Sequence, residues 1–350
     1  MKILVTGASG FIGSHLCAAL AARGDEVRAM YRRRTPPPEL EALAMRGRAG
    51  DAKSVHRVEL FRGDLADAAR VAEAIMGVDA VIHSAALASD WGSLELFIEQ
   101  NYDATVLLLE AAREAGARRF LYISSAQVHG YGNHVDTTER GPYYPLKYHY
   151  QVTKAMGEEY VLAQNSSSFR TTAIRPCNVY GPGDYTSTYT MLDAVMSGAF
   201  GYLGPGLALT CPVYIDDLCA GVLAALGCDD SSGEAIILTD GQKVRWKDYA
   251  AAFYKAVGSR RRPLSLPRPI AYAAAWALTG AAKAARSEKR PLLTMYVVEQ
   301  GSRNFHFSNG KARSLLGFEP RIFFEEGVAR TADAYIKGKA ALGAPGEEEA

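Results

Sequence analysis

Lys2-Ile3-Leu4-Val5-Thr6-Gly7-Ala8-Ser9-Gly10-Phe11-Ile12-Gly13 opens on a short apolar run and turns, through three glycines, into a helical pattern that lasts to about Arg23 and stops at Gly24. Glycines between a strand and a helix let the backbone turn tightly and approach a pyrophosphate closely. The unpaired N–H groups and positive end of the helix then favour the anion. Gly7, Gly10, Phe11, Ile12 and Gly13 are therefore expected at a dinucleotide. The competing interpretation is a glycine-rich turn that binds nothing.

Working outward, further apolar runs read as strands at 27–31, 57–61, 80–83, 120–123 and 171–175. A helical pattern at 94–115, carried by Val106, Leu109 and Ala112, and another at 150–163 lie between them. This alternation predicts an α/β fold, a doubly wound parallel sheet of Rossmann type with its ligand edge at the strand C-termini. After Pro176 the pattern loosens around Gly181-Pro182-Gly183 and Gly204-Pro205-Gly206, then returns to helices at 216–226 and 246–257 and a strand at 236–238. The expected division is a dinucleotide-binding domain over 1–176, with 213–240 returning to it. A smaller C-terminal substrate lobe takes 177–337, and 338–350 form a frayed tail.

The chain has 350 residues and a net charge of +1, so no excess of either sign points to nucleic acid as a partner. Its five cysteines include no C-x-x-C pair, and no metal site is expected. An odd cysteine count and an N-terminus that reads at once as a strand point to the cytoplasm. The apolar stretch 270–282 is shorter than the ~20 residues a span requires.

A carboxylate closing the second strand would favour NAD by binding the adenosine ribose. Here the strand runs into Tyr31-Arg32-Arg33-Arg34. A guanidinium suits a 2′-phosphate, so NADP is preferred over NAD, with Arg32 the best placed contact. A solvated basic loop is the alternative.

Tyr150-Gln151-Val152-Thr153-Lys154 sets a phenol and an ammonium four residues apart, on one face of a helix. A nearby cation is expected to lower the phenol's pKa and make Tyr150 a proton donor or acceptor for alcohol and ketone chemistry. Ser125, closing the fifth strand, can hydrogen-bond the reacting oxygen. Each piece alone also fits a helix-surface pair or a strand-end turn.

Together the residues resemble the extended short-chain dehydrogenase/reductase family, over nearly the whole chain. The carrying segments are Thr6-Gly7 to Gly13, Gly63-Asp64-Leu65, His83-Ser84-Ala85-Ala86, Asn101-Tyr102-Asp103-Ala104-Thr105, Ser124-Ser125-Ala126-Gln127-Val128-His129-Gly130, Arg175-Pro176-Cys177-Asn178-Val179-Tyr180-Gly181-Pro182-Gly183-Asp184 and Val213-Tyr214-Ile215-Asp216-Asp217-Leu218. His129 departs from the family's usual tyrosine. The resemblance implies that Ser125, Tyr150 and Lys154 are catalytic. It also implies cofactor contacts from Asp64, Leu65, Ala85, Asn101, Tyr150, Lys154 and Pro176, and a substrate contact from Asn178.

Within the family, Ala126-Gln127 after Ser125 lacks the acidic pair typical of dehydratases. The C-terminal half resembles the 3β-hydroxysteroid dehydrogenase/isomerase branch through Leu238-Thr239-Asp240-Gly241, Trp246-Lys247-Asp248-Tyr249, Pro291-Leu292-Leu293-Thr294 and Leu316-Gly317-Phe318-Glu319-Pro320. This implies an oxidoreductase acting on a secondary alcohol or ketone of a steroid-like or long-chain lipophilic substrate. It also allows peripheral membrane contact through 270–285. Residues 185–212 contain no arginine or lysine to grip a diphosphate, and Tyr189 and Leu192 are expected to line an apolar pocket. A sugar-nucleotide 4-epimerase with tightly bound NAD is the alternative, with Arg260 to Arg262 as its candidate phosphate clamp. A non-catalytic cofactor-binding sensor is a minor third reading. The oligomeric state stays open, a homodimer among the alternatives.

Overall fold

The computed structural model describes residues 1–46, 58–287 and 289–343. Its centre is a seven-stranded sheet of β1 (Lys2–Thr6), β2 (Glu26–Tyr31), β3 (Val58–Arg62), β4 (Ala80–His83), β5 (Arg119–Ile123), β6 (Arg170–Pro176) and β7 (Ala235–Leu238). The order across the sheet is β3-β2-β1-β4-β5-β6-β7, and every neighbouring pair is parallel. The fold is the expected doubly wound parallel α/β sheet. Arg57, the expected start of the third strand, lies outside the described residues.

Side-chain alternation explains why the sheet is covered on both faces. Ile3, Val5, Val27, Ala29, Ile82 and Leu121 point into one buried cluster, with Leu16, Cys17 and Leu20 of the helix Phe11–Arg23 and Leu218 and Val222 of the helix Ile215–Gly227. Leu4, Met30, Val81, Phe120 and Tyr122 point the other way, onto Val71 and Ala74 of Ala68–Ile75, Leu108 and Leu109 of Ala104–Glu114 and Val161 of His149–Ala163. Strands buried on both faces read as continuous apolar runs, which is how they appear in the sequence. The parallel arrangement brings all seven C-terminal strand ends to one edge.

The helix expected at 94–115 is interrupted. Leu94–Phe97 and Ala104–Glu114 are α-helical, but Ile98–Asp103 forms a π-turn centred on the buried Asn101. An extra residue in the helical ladder re-aims a side chain, and such turns concentrate at functional sites.

Beyond β6 the chain builds short two-stranded pieces. Asn178–Tyr180 pairs in parallel with Pro212–Tyr214, and Gly201–Leu203 with Leu264–Leu266. His134–Thr137, from the first half, pairs with Phe305–Phe307 and fastens the C-terminal segments to the sheet domain. The helix Phe324–Gly343 passes through Gly338, where the sequence suggested a frayed tail, and residues 344–350 lie outside the described ones.

Candidate functional site

The glycine loop sits at the C-terminal end of β1. Gly7 has φ +67°, and a Cβ placed on it would lie 2.8 Å from the backbone of Ala85, after β4. A Cβ on Gly13 would lie 2.2 Å from the Gly7 carbonyl oxygen. Neither position accepts a side chain without moving backbone, so two loops and one helix end meet at van der Waals contact. Beside them lies a cavity of about 330 Å³ lined by Gly7, Gly10, Arg32, Asp64, Leu65 and Ala85, among others. These are six of the expected cofactor residues. Phe11 and Ile12 form the first helical turn behind the loop, and Gly13 is buried there. Pro176 lies at the end of β6, paired with Leu238.

The end of this edge beside β2 and β3 carries three guanidinium groups. Arg32, Arg62 and Arg70 surround an adjoining cavity of about 470 Å³ with Gly63 and Asp64. Arg32 donates to the Gln100 amide oxygen at 2.8 Å and lies 3.8 Å from the Asp64 carboxylate. Arg62 and Arg70 were not singled out in the sequence. They come from the end of β3 and the helix after it, and only the fold brings them beside Arg32.

A chain of hydrogen bonds fixes the floor of the site. The Thr105 hydroxyl donates to the Asn101 carbonyl at 2.6 Å, so it accepts from His83 Nε2 at 2.9 Å. The His83 Nδ1 is then left to accept from the Thr6 hydroxyl at 2.7 Å. Full burial holds this ring neutral, pulling its pKa down to about 3, with Lys154 adding to the effect. Asn101 accepts from the Leu87 N–H at 2.6 Å and donates to the Thr153 hydroxyl at 3.2 Å. It therefore ties the loop after β4 to the helix bearing Tyr150 and Lys154.

That helix, His149–Ala163, brings the Tyr150 phenol near the Ser125 hydroxyl. Ser125 also accepts from the Gln127 N–H at 3.2 Å, capping a short 3-10 turn. Lys154 donates to the Ile123 carbonyl at 2.6 Å, two residues before Ser125. The three expected residues thus converge at the end of β5.

The expected electrostatics are reversed in one respect. Burial pushes the Tyr150 phenol well above its ordinary value, Tyr296 adds to the rise, and Ser125 offsets part of it. Lys154 does not lower it, for a physical reason. Its ammonium is committed to the Ile123 carbonyl and the Tyr122 ring, and burial pulls its own pKa down to about 7. Tyr150 is therefore protonated through neutral pH in this form.

Three tyrosines cluster behind Tyr150, Tyr296 being the one whose phenol influences it. Tyr296, on the helix Met295–Ser302, packs edge-on against Tyr148 at 5.1 Å and Tyr131 at 5.5 Å. The Gln127 amide donates to its hydroxyl at 2.6 Å. Sequence reasoning missed Tyr296, although it follows directly on the Pro291–Thr294 segment, whose Thr294 caps its helix.

The expected substrate residues fare differently. Leu192 is fully buried in the main core, because its helix Thr188–Ser197 turns that face inward; it is a core side chain and not a pocket wall. The Tyr189 hydroxyl accepts from the Gly183 N–H at 3.1 Å and its ring packs on Tyr185 and Tyr335. The Asn178 side chain lies beside the buried Tyr249 phenol. Arg261 of the candidate phosphate clamp donates instead to the Ser197 carbonyl at the end of that same helix.

Residues 3–238 match the model of the NAD dependent epimerase/dehydratase family. The chain belongs to this family. It is 30% identical over 340 residues to a 2-alkyl-3-oxoalkanoate reductase of Stenotrophomonas maltophilia, covering 94% of this chain and 98% of that protein. It is 30% identical over 352 residues to a 3 beta-hydroxysteroid dehydrogenase/Delta 5-->4-isomerase of Mycobacterium tuberculosis, covering 96% and 90%. In fold it resembles the NAD complex of a UDP-glucuronic acid 4-epimerase from Bacillus cereus, with TM-score 0.73, 24% identity and coverage of 96% and 99%. The protein is an NAD(P)-dependent oxidoreductase acting on CH–OH groups, in the line of its reductase and dehydrogenase relatives.

Tyr150→Phe is expected to abolish turnover while leaving cofactor affinity nearly unchanged, because the phenol's proton is used only in the chemical step. A positioned acid–base contributes about 10²–10⁴-fold, so a variant retaining more than roughly a tenth of the wild-type rate contradicts the role. The two measurements are steady-state turnover and a cofactor titration.

Proposed function

We propose that this protein interconverts a ketone and a secondary alcohol on a lipophilic substrate, with Tyr150 as acid–base, Ser125 holding the reacting oxygen and Lys154 anchoring the cofactor. A bound nicotinamide cofactor supplies or accepts the hydride. The observation that carries the reading is the convergence of Ser125, Tyr150 and Lys154 at the end of β5, on the strand edge that also holds the glycine-loop cavity. In the reducing direction the half-buried phenol, protonated at neutral pH, donates to the developing alkoxide beside the Ser125 hydroxyl.

The lipophilic substrate is supported by the tyrosine cluster of Tyr131, Tyr148 and Tyr296, whose Tyr296 phenol lies close enough to Tyr150 to influence it. It is also supported by the absence of any basic residue from 185–212. The names of the reductase and steroid dehydrogenase relatives agree with it. The test is a panel of 3-oxo steroids, long-chain β-keto compounds and UDP-sugars. Reduction of a lipophilic ketone with consumption of added cofactor is expected. Turnover of UDP-sugars alone, with no cofactor added, overturns the reading in favour of an epimerase.

NADP is the preferred cofactor in this reading. Tyr31 stands where a ribose-binding carboxylate would, and Arg32, Arg62 and Arg70 surround the adjoining cavity. NADPH should bind at least about tenfold more tightly than NADH, a difference of roughly 1.4 kcal/mol. Arg32→Ala should remove most of that difference. Equal affinities in the wild type, or an unchanged ratio in the variant, contradict the assignment.

Peripheral contact with an anionic membrane fits the helix Arg268–Ala284. Ala271 and Ala275 bury its inner face, while Ile270, Trp276 and Leu278 stand 57%, 75% and 45% exposed. No charged residue lies between Arg268 and Lys283, and residues 260–290 hold eight basic residues against one acidic one. No described helix is long and apolar enough to cross a membrane. An apolar face rimmed by cations lies in the interface of an anionic bilayer. The protein should sediment with phosphatidylglycerol vesicles and much less with phosphatidylcholine ones, and Trp276→Glu should reduce the bound fraction several-fold. Equal sedimentation of variant and wild type argues against this face.

A further inference from the structure

Lys154 is in an unusual position for a cation. It is 2% exposed, its single described hydrogen bond goes to the Ile123 carbonyl at 2.6 Å, and no carboxylate among the described residues lies within ion-pair distance. Below its ammonium, 3.9 Å from the nitrogen, is the ring of Tyr122 on β5. Tyr122 fits there because the next turn of the helix carries Gly157, whose Cβ would come within 2.6 Å of the phenol oxygen.

One turn beyond Lys154 on the same helix is Glu158, itself only 5% exposed. Arg175, on β6, grips its carboxylate from the far side at 3.1, 3.0 and 2.5 Å. Arg175 is held in turn by His129 Nε2 at 2.8 Å and the Tyr143 hydroxyl at 3.0 Å. His129 is neutral in this arrangement, since burial and the neighbouring guanidinium pull its pKa down to about 3. A carboxylate is thus locked, without rotational freedom, at helical i,i+4 spacing from a buried ammonium.

Such a buried pair is weak support for stability, because apolar residues of similar volume commonly do as well. Its position suggests a different consequence. We propose that Glu158, fixed by Arg175, is a positioning residue that keeps the Lys154 ammonium charged, with the Tyr122 ring as the second contributor. The inference rests on the role given to Lys154 above, but it concerns only the charge of that side chain. The groups acting on Lys154 are Glu158 from its own helix, Tyr122 from β5 and His83 from β4, with Arg175 behind Glu158 and Tyr150 one turn earlier on the helix. Of these only Glu158 carries negative charge at neutral pH. The direction of its influence agrees: burial lowers the Lys154 pKa to about 7 and Glu158 raises it. Without Glu158 the lysine would hold its proton less tightly.

The test reads the lysine directly, without cofactor or substrate. The full-length protein is labelled with ¹³C at lysine Cε and titrated by NMR, the Lys154 signal being identified by its loss in Lys154→Arg. Glu158→Gln is expected to lower the midpoint by about one pH unit, the lower end of the range for an opposite charge nearby. Tyr122→Leu is expected to lower it as well, and Tyr122→Phe, which keeps the ring, to leave it in place. Should Glu158→Gln fail to fold with Arg175 unpaired, the double change Glu158→Met and Arg175→Met removes both charges at similar volume, and a lowered midpoint is still expected. A Lys154 midpoint unchanged by removal of Glu158 overturns the proposal. Because no turnover enters, that failure is distinct from failure of the oxidoreductase reading.

Discussion

The backbone contact between Gly7 and Ala85 is the constraint on which the rest of this edge depends. It sets the end of β1 against the loop after β4, and Gly13 brings the helix N-terminus under the same turn. With these three backbones in contact, the helix end faces the cavity and the Thr6 hydroxyl reaches His83. From His83 the hydrogen bonds pass through Thr105 to the π-turn at Asn101, and from Asn101 to the helix of Tyr150 and Lys154. Displacing the first contact would move both the anion site and the candidate proton donor.

Burial of Lys154 and partial burial of Tyr150 decide the chemistry of the site. Burial and the neighbouring Tyr296 set the Tyr150 pKa, so the resting phenol is an acid and not a phenolate. The same burial makes the charge on Lys154 marginal, so the nearby carboxylate and ring matter. In low dielectric each of these terms is larger than it would be at the surface, whichever sign it has. A polar triad beside the Tyr296 phenol suits a substrate that brings one reactive oxygen on an otherwise apolar body.

Local patterns made much of this legible. The strands buried on both faces were readable as apolar runs, and the glycine loop by its place between strand and helix. Tyr150 and Lys154 were readable by their spacing on one helix face. What escaped depends on tertiary placement. Tyr296 lies 146 positions from Tyr150 in sequence and reaches the site only through the docking of the C-terminal segments. Arg62 and Arg70 join Arg32 only once β2 and β3 pair. The π-turn has the composition of an ordinary helix, and the difference lies in what Asn101 must reach. Leu192 misled because an apolar residue in a cleft-facing segment can equally face the core, and here it does. The direction of the Tyr150 shift was misjudged because spacing reveals a neighbouring charge but not the depth at which both are buried.

The central claim is hydride exchange between a dissociable nicotinamide cofactor and a lipophilic carbonyl compound. Its most direct measurement is mass spectrometry of the product formed from an unlabelled long-chain or steroid ketone with NADPH deuterated at C4, each C4 position tested in turn. The account predicts an alcohol carrying one deuterium from one of the two labelled forms, and none from the same reaction with Tyr150→Phe. An alcohol without deuterium from either form, or a UDP-sugar epimerised with no label uptake and no cofactor consumed, would contradict it.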